Sequence, residues 1–186
     1  MTRSWAILAS IAVLTTGCAS LITPTYSPDY PSLDRLKAGQ LGKVAVGTFQ
    51  PRDPQAPVNK ITLRGSSLAT PQGTFSEYLE SAMRSDLNEL RALDPNAQTR
   101  VDAVLLKNEI DVSGFSTGTG VMVATVTVSK RGATVLQKTY TANTQFESSF
   151  AGAVAIPKGM NEYPTLVRTL LQTIYSDTAF INAIKP

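Results

Sequence analysis

The sequence predicts an α+β fold: a single antiparallel sheet of four to five strands with two amphipathic helices packed on one face, in the order β(β)αβββα. Three observations predict it. Apolar residues recur at three- and four-residue spacing in two separate stretches, 75–93 and 163–184. Between them lie three long segments rich in β-branched residues, joined by short loops containing glycine. The balance of 42% apolar and 17% charged residues suits a packed core rather than a disordered chain.

The chain opens on a targeting segment, assigned to residues 1–17. Arg3 supplies a positive start, and Trp5–Leu14 is a predominantly apolar run. A run of that length suits the core of a signal peptide and falls short of the roughly twenty residues that span a bilayer. Thr15-Thr16-Gly17 then leads to the only cysteine, Cys18. Small residues ahead of a lone cysteine resemble the bacterial lipobox. That resemblance implies cleavage before Cys18, acylation of the new N-terminus (palmitate among the acyl chains) and a lipid anchor. Several acyl chains, each burying methylenes worth about 0.8 kcal/mol apiece, anchor stably. An ordinary secretory cut after Ala19 is the alternative. Ala19 rather than an aspartate after Cys18 implies, by the enteric sorting rule, the periplasmic face of the outer membrane.

Residues 18–40 read as a lipid-anchored, Pro-rich tether. Pro24, Pro28 and Pro31 block helix and ladder pairing, and an extended segment of this length reaches at most about 70 Å. A docking segment with Tyr26 and Tyr30 as anchors is the other reading. One α+β periplasmic domain, 41–186, follows. Lys43–Phe49 alternates as a strand, and Lys60–Arg64 alternates as a short edge strand. The first helix carries Phe75, Tyr78, Leu79, Ala82, Met83 and Leu87 on one stripe, with a Thr74/Glu77 capping pattern at its start. Asp94-Pro95 stops it.

Three strands come next, near 101–112, 119–130 and 133–146. In the first, Val104, Leu106, Ile110 and Val112 are expected in one register. Gly114, Gly118 and Gly120 are assigned to the loop that precedes the second, and Lys130-Arg131-Gly132 turns the second into the third. Phe150–Ile156 reads as an apolar loop of small residues. The last helix carries Tyr163, Leu166, Val167, Leu170, Leu171, Ile174 and Tyr175, with Pro164 in its first turn and a break near Ser176-Asp177.

This order behind a lipobox resembles small proteobacterial envelope lipoproteins of the YajG kind, and more distantly LptE, the lipoprotein partner of the lipopolysaccharide-inserting β-barrel. The residues that carry it are Phe75–Met83, the hairpin ending Lys138-Thr-Tyr-Thr-Ala142, and Leu170–Ile181. The resemblance implies fold and compartment more than activity.

The chemistry is narrowed by elimination. The chain has no histidine and one cysteine, which excludes His-based triads, His metal sites and CxxC motifs. Catalytic residues, metal ligands and cofactors are all read as none, and the chain as not an enzyme. Gly118-Thr-Gly120 lacks the third glycine of a dinucleotide loop, since Val123 stands there. Glu109 and Asp111 read as a solvated face beside Lys107. Ser148 and Ser149 have only Lys138 or Lys158 as conceivable bases.

Lys130 and Arg131 are the candidate contact for anionic lipid, against the reading of a solubilising turn. Phe150, Val154 and Ile156 are the candidate partner patch, against a loop folded back on the sheet. A net charge of +3 without a basic, aromatic-interleaved stripe speaks against nucleic acid. The leading expectation is a non-enzymatic outer-membrane lipoprotein that binds an envelope protein as subunit or accessory of an assembly or transport system. A lipid- or glycan-binding periplasmic module is the alternative, and an unrecognised hydrolase the third.

Overall fold

The computed structural model describes residues 21–186. The leader 1–17 and Cys18 lie outside the described residues. Along the chain come β1 (Leu21–Ile22), α1 (Tyr30–Ala38), β2 (Val44–Gln50), a 3-10 turn (Pro57–Asn59), β3 (Ile61–Leu63), β4 (Ser66–Ala69) and α2 (Phe75–Glu89). Then follow β5 (Thr99–Asp111), β6 (Thr117–Lys130), β7 (Ala133–Glu147), α3 (Gly152–Tyr175) and α4 (Thr178–Ala183).

The α+β class holds, but the expected single sheet with two helices does not. Among the described residues two sheets form, one ordered β2-β5-β6-β7 and a small one ordered β1-β4-β3, and four α-helices accompany them. Nor is the large sheet wholly antiparallel. β5, β6 and β7 form the expected meander, whereas β2 pairs with β5 in parallel. The reason is α2: a helix between two neighbouring strands carries the chain back to the starting edge, so the second strand runs the same way.

α2 and α3 cover one face of the large sheet. Leu79, Met83, Leu170 and Ile174 are all buried there, as their helical spacing predicts. The Phe75 and Tyr163 rings meet at 4.7 Å and join the two helices. The capping box of α2 is present in both halves: Glu77 N–H donates to Thr74 Oγ1 at 3.1 Å, and Thr74 N–H to Glu77 Oε2 at 2.9 Å.

β5 corrects the expected register. Val101, Ala103 and Leu105 are buried, then Ile110 and Val112, while Val104 and Leu106 face solvent. The pairing with β6 shifts between Leu105 and Lys107. One extra residue in a strand flips the inward phase from odd to even positions, so a single alternation cannot run its whole length. Gly118 and Gly120 belong to β6 rather than to the preceding loop. The Phe146 ring lies over Gly118, where an added Cβ would come within 2.4 Å of it.

The N-terminal segment is the larger correction. Its described part, from Leu21, is not an extended tether but is bound to the domain. Leu21 and Ile22 pair in parallel with Leu68 and Ala69 of β4. Tyr78 donates to the Pro24 carbonyl at 2.8 Å, and Arg168 to that of Ser27 at 3.3 Å. α1 is capped by Asp29, whose carboxylate accepts from Ser32 N–H at 3.1 Å, and it buries Leu33 and Leu36. Pro31 sits in the first turn, where a missing N–H costs nothing, so proline here starts a helix instead of forbidding one.

α3 brings a third correction. Gly152–Ile156 forms its first turns, not a loop, and Pro157 and Pro164 both lie inside the helix. α3 ends at Tyr175, and Asp177 caps α4 through Ala179 N–H at 3.1 Å. No helix among the described residues is long and apolar enough to cross a membrane.

Candidate functional site

β6 is a strand of fourteen residues, and at about 3.3 Å per residue it separates its two ends by roughly 40 Å. The two ends differ in chemistry.

The Thr117 end is apolar. Phe115, in the loop between β5 and β6, is 79% exposed, and Phe150, in the loop before α3, is 69% exposed. Their rings stack on each other with centroids 5.1 Å apart and an interplanar angle of 30°. Val154, on the first turn of α3, is also exposed. Residues 112–118 and 148–157 contain no charged side chain.

Arg64, in the turn between β3 and β4, fastens this end. Its guanidinium donates to the Val112 carbonyl at 2.9 and 3.1 Å, to that of Ser149 at 2.9 Å and to that of Phe150 at 2.5 Å. Three chain segments that the sequence separates are thereby held by one side chain. Ser148 N–H adds a bond to the Ser116 carbonyl at 2.8 Å. Two exposed rings in short, fastened loops form a rigid apolar tip.

The Lys130 end is basic. Arg131 and Gly132 form the hairpin turn at φ 51° and 84°, the left-handed pair that a two-residue hairpin of this twist uses. Lys130 Nζ donates to the Lys185 carbonyl at 2.7 Å, and Arg131 Nε to Gln98 Oε1 at 2.8 Å. Two shallow hollows around Pro186 bring Lys37, Lys43 and Arg91 close to Lys130 and Arg131. Among the described residues, none of these six cations, Lys185 included, forms an ion pair.

Between the ends, an open groove of about 630 Å³ runs along β7 and α3. Thr139, Thr141, Thr169, Gln172 and Thr173 line it with hydroxyls and an amide. At one side Asp177 accepts from Tyr140 Oη at 2.6 Å and from Lys138 Nζ at 2.9 Å. These two donors, the tyrosine first, hold its carboxyl below its ordinary range.

The buried Asp86 is a latch for the N-terminal segment. Its carboxylate accepts from Tyr26 Oη at 3.0 and 3.1 Å and from Tyr175 Oη at 3.0 Å. Burial pushes its pKa up to about 6, against the opposing pull of the Tyr175 and Tyr26 hydroxyls. Tyr26 thus anchors on its own domain, and Tyr30 likewise reaches Glu89 at 3.2 Å.

The remaining sequence candidates fall as follows. Phe150 and Val154 stand at the tip, and Ile156 is half-buried behind them. Lys130 and Arg131 are at the opposite end. Glu109 pairs with Lys107 at 3.1 Å, and Asp111 accepts from Ser113 N–H at 2.7 Å. Lys138 is bound to Asp177, and Lys158 meets Glu147 at 3.2 Å. Neither lysine bonds Ser148 or Ser149. Sequence reasoning missed Phe115 and the clamp role of Arg64. An aromatic residue set alone in the Ser113-Gly-Phe-Ser116 loop was the available signal for the first; nothing local announces the second.

No family model and no curated protein matches the chain. Solved structures do. A Xanthomonas campestris protein of the DUF330 family is similar at a TM-score of 0.57 and 11% identity, over 88% of this chain and 94% of that one. A lipoprotein candidate from Caulobacter crescentus matches at 0.46 and 11%, over 81% and 94%. A minor lipoprotein from Acinetobacter baumannii matches at 0.46 and 13%, over 78% and 95%. The first likeness is one of fold.

Proposed function

We propose that this chain is a non-enzymatic envelope lipoprotein. It is held to the membrane through an acylated Cys18 and acts by binding, as a subunit or accessory of an assembly or transport system. One observation carries the reading. An apolar leader ends on the chain's single cysteine, and Leu21, three residues later, is already paired in β1. The sequence places that cysteine at the end of the leader, where cleavage would make it the first mature residue.

The residue after the cysteine, Ala19, points to the outer membrane and its periplasmic face, and the likeness to YajG-kind and LptE-kind lipoproteins supports the same compartment. The cluster of cations around Pro186 offers an acidic protein surface a place to dock. Mass spectrometry of the membrane fraction tests the reading: it should find a first peptide beginning at Cys18 with added acyl mass. A soluble protein beginning at Ser20 would contradict it.

A second reading, a glycan-binding module, rests on the groove along β7 and α3. Its threonine and glutamine lining suits sugar hydroxyls better than an acyl chain. Titration with soluble glycan fragments, read by chemical shifts of Thr139, Thr169 and Gln172, decides whether the groove is used.

A further inference from the structure

We infer that the Phe115–Phe150–Val154 tip is a second membrane contact, inserted into the interfacial layer of the leaflet that holds the anchor. The inference rests on the lipoprotein reading and deepens it by fixing how the domain sits.

The argument begins with strand direction. β1 is parallel to β4, with Leu21 opposite Leu68. The start of β1 therefore points along β4 toward Ser66 and the Arg64–Gly65 turn. Leu68 is three residues from Gly65, about 10 Å along a strand. Cys18 is three residues from Leu21, so its reach from that point is at most about 11 Å. Arg64, at the same turn, grips the carbonyls of Ser149 and Phe150. An acyl anchor on Cys18 thus leaves the fold at the end where the two phenylalanine rings stand exposed.

The short reach is what gives the tip its consequence. A long tether would let the domain tumble freely above the bilayer. A three-residue link bound to β1 holds the tip at the lipid surface at high effective concentration, so weak apolar contacts suffice. The chemistry fits an interface. The tip loops themselves carry no charge, the flanking Glu147 carboxylate pairs with Lys158 at 3.2 Å, and the Arg64 guanidinium spends its donors on protein carbonyls. The six cations lie roughly 40 Å away along β6, facing off the membrane.

The experiment uses the acylated chain, purified from membranes and reconstituted into phosphatidylethanolamine–phosphatidylglycerol vesicles with or without brominated acyl chains. The only tryptophan is Trp5, in the leader, so the parent chain is the blank. Phe115→Trp and Phe150→Trp place reporters on exposed rings whose replacement the fold tolerates. Val135→Trp, on exposed β7 near the basic end, is the comparison.

Blue-shifted emission and strong quenching by bromine at 115 and 150, with none at 135, is the expected result. Equal quenching at 115 and 135 in a chain that carries acyl mass on Cys18 would overturn the tip contact while leaving the anchor in place. It would leave a protein as the occupant of the tip. Quenching at 115 and 150 in a chain without acyl mass would instead sink the anchor reading and support the tip contact.

Discussion

The Phe115 end and the Lys130 end of the meander are made by the same three strands, yet they finish in opposite chemistry. At one end the loops are neutral and present two stacked rings. At the other, a tight hairpin and the chain's last residues gather six cations. Hairpin tips carry lysine and arginine simply for solubility, yet two adjacent basic residues at one, Lys130-Arg131, also suggest a contact for anionic lipid from sequence alone. Their distance from β1 argues otherwise. Which end of an anchored domain meets the bilayer depends on where the chain leaves the fold, and under the proposed Cys18 anchor the direction of a two-residue strand favours the Phe115 end.

The comparison assumes one rigid body between the ends, and the largest predicted effect tests that assumption. Leu170, buried where α3 meets the sheet, should cost about 2–5 kcal/mol on change to alanine. Denaturant unfolding should show a single transition at a lower midpoint. Two separate transitions would mean that the ends belong to different folding units.

A somewhat smaller effect comes from Asp86. Its folded-state pKa, near 6, lies above the ordinary carboxylate value of 3.8, so the folded chain binds more protons than the unfolded chain between these values. Stability from this group is fully present below about pH 4 and is lost as pH rises through about 6, a change on the order of 2–3 kcal/mol. Unfolding midpoints at pH 4 and pH 7, compared between the parent and Asp86→Asn, should show the extra fall only in the parent.

Arg64→Ala sharpens the contrast between the ends. Losing its bonds to three carbonyls should cost roughly 1–3 kcal/mol. Amide exchange should quicken at Ser116 and Ser148–Gly152 and stay unchanged at Lys130 and Ala133. The smallest effect is predicted at the basic end. Lys130→Glu with Arg131→Glu should change stability by no more than about 0.5 kcal/mol. In the acylated chain it should leave vesicle association unchanged at low salt. A sharp loss of association would put the basic end on the membrane and reverse the comparison.

The fold was legible where one periodicity persists over many residues. α2, the last three turns of α3 and the β5–β6–β7 meander each repeat a pattern long enough to read. It was illegible where one residue changes the phase, as at the Leu105–Lys107 shift of β5. It also misled where a proline's meaning depends on position: Pro31 opens α1 instead of breaking it, and Pro157 sits inside α3. β1 has two residues and no pattern to find. Its partner β4 makes it a strand, and that pairing depends on tertiary contact. The tip was half legible for the same reason. Phe150 and Val154 stood out as an apolar run, but Phe115 lies 35 positions away in sequence and joins them only through the sheet and the Arg64 clamp.

The orientation of the domain is the central claim, and photo-crosslinking in the intact envelope tests it most directly. Phe115 and Arg131 are each replaced, one at a time, by a photo-reactive residue in the full chain. The account predicts lipid adducts from position 115 and protein adducts from position 131. Protein adducts from 115 together with lipid adducts from 131 would contradict it.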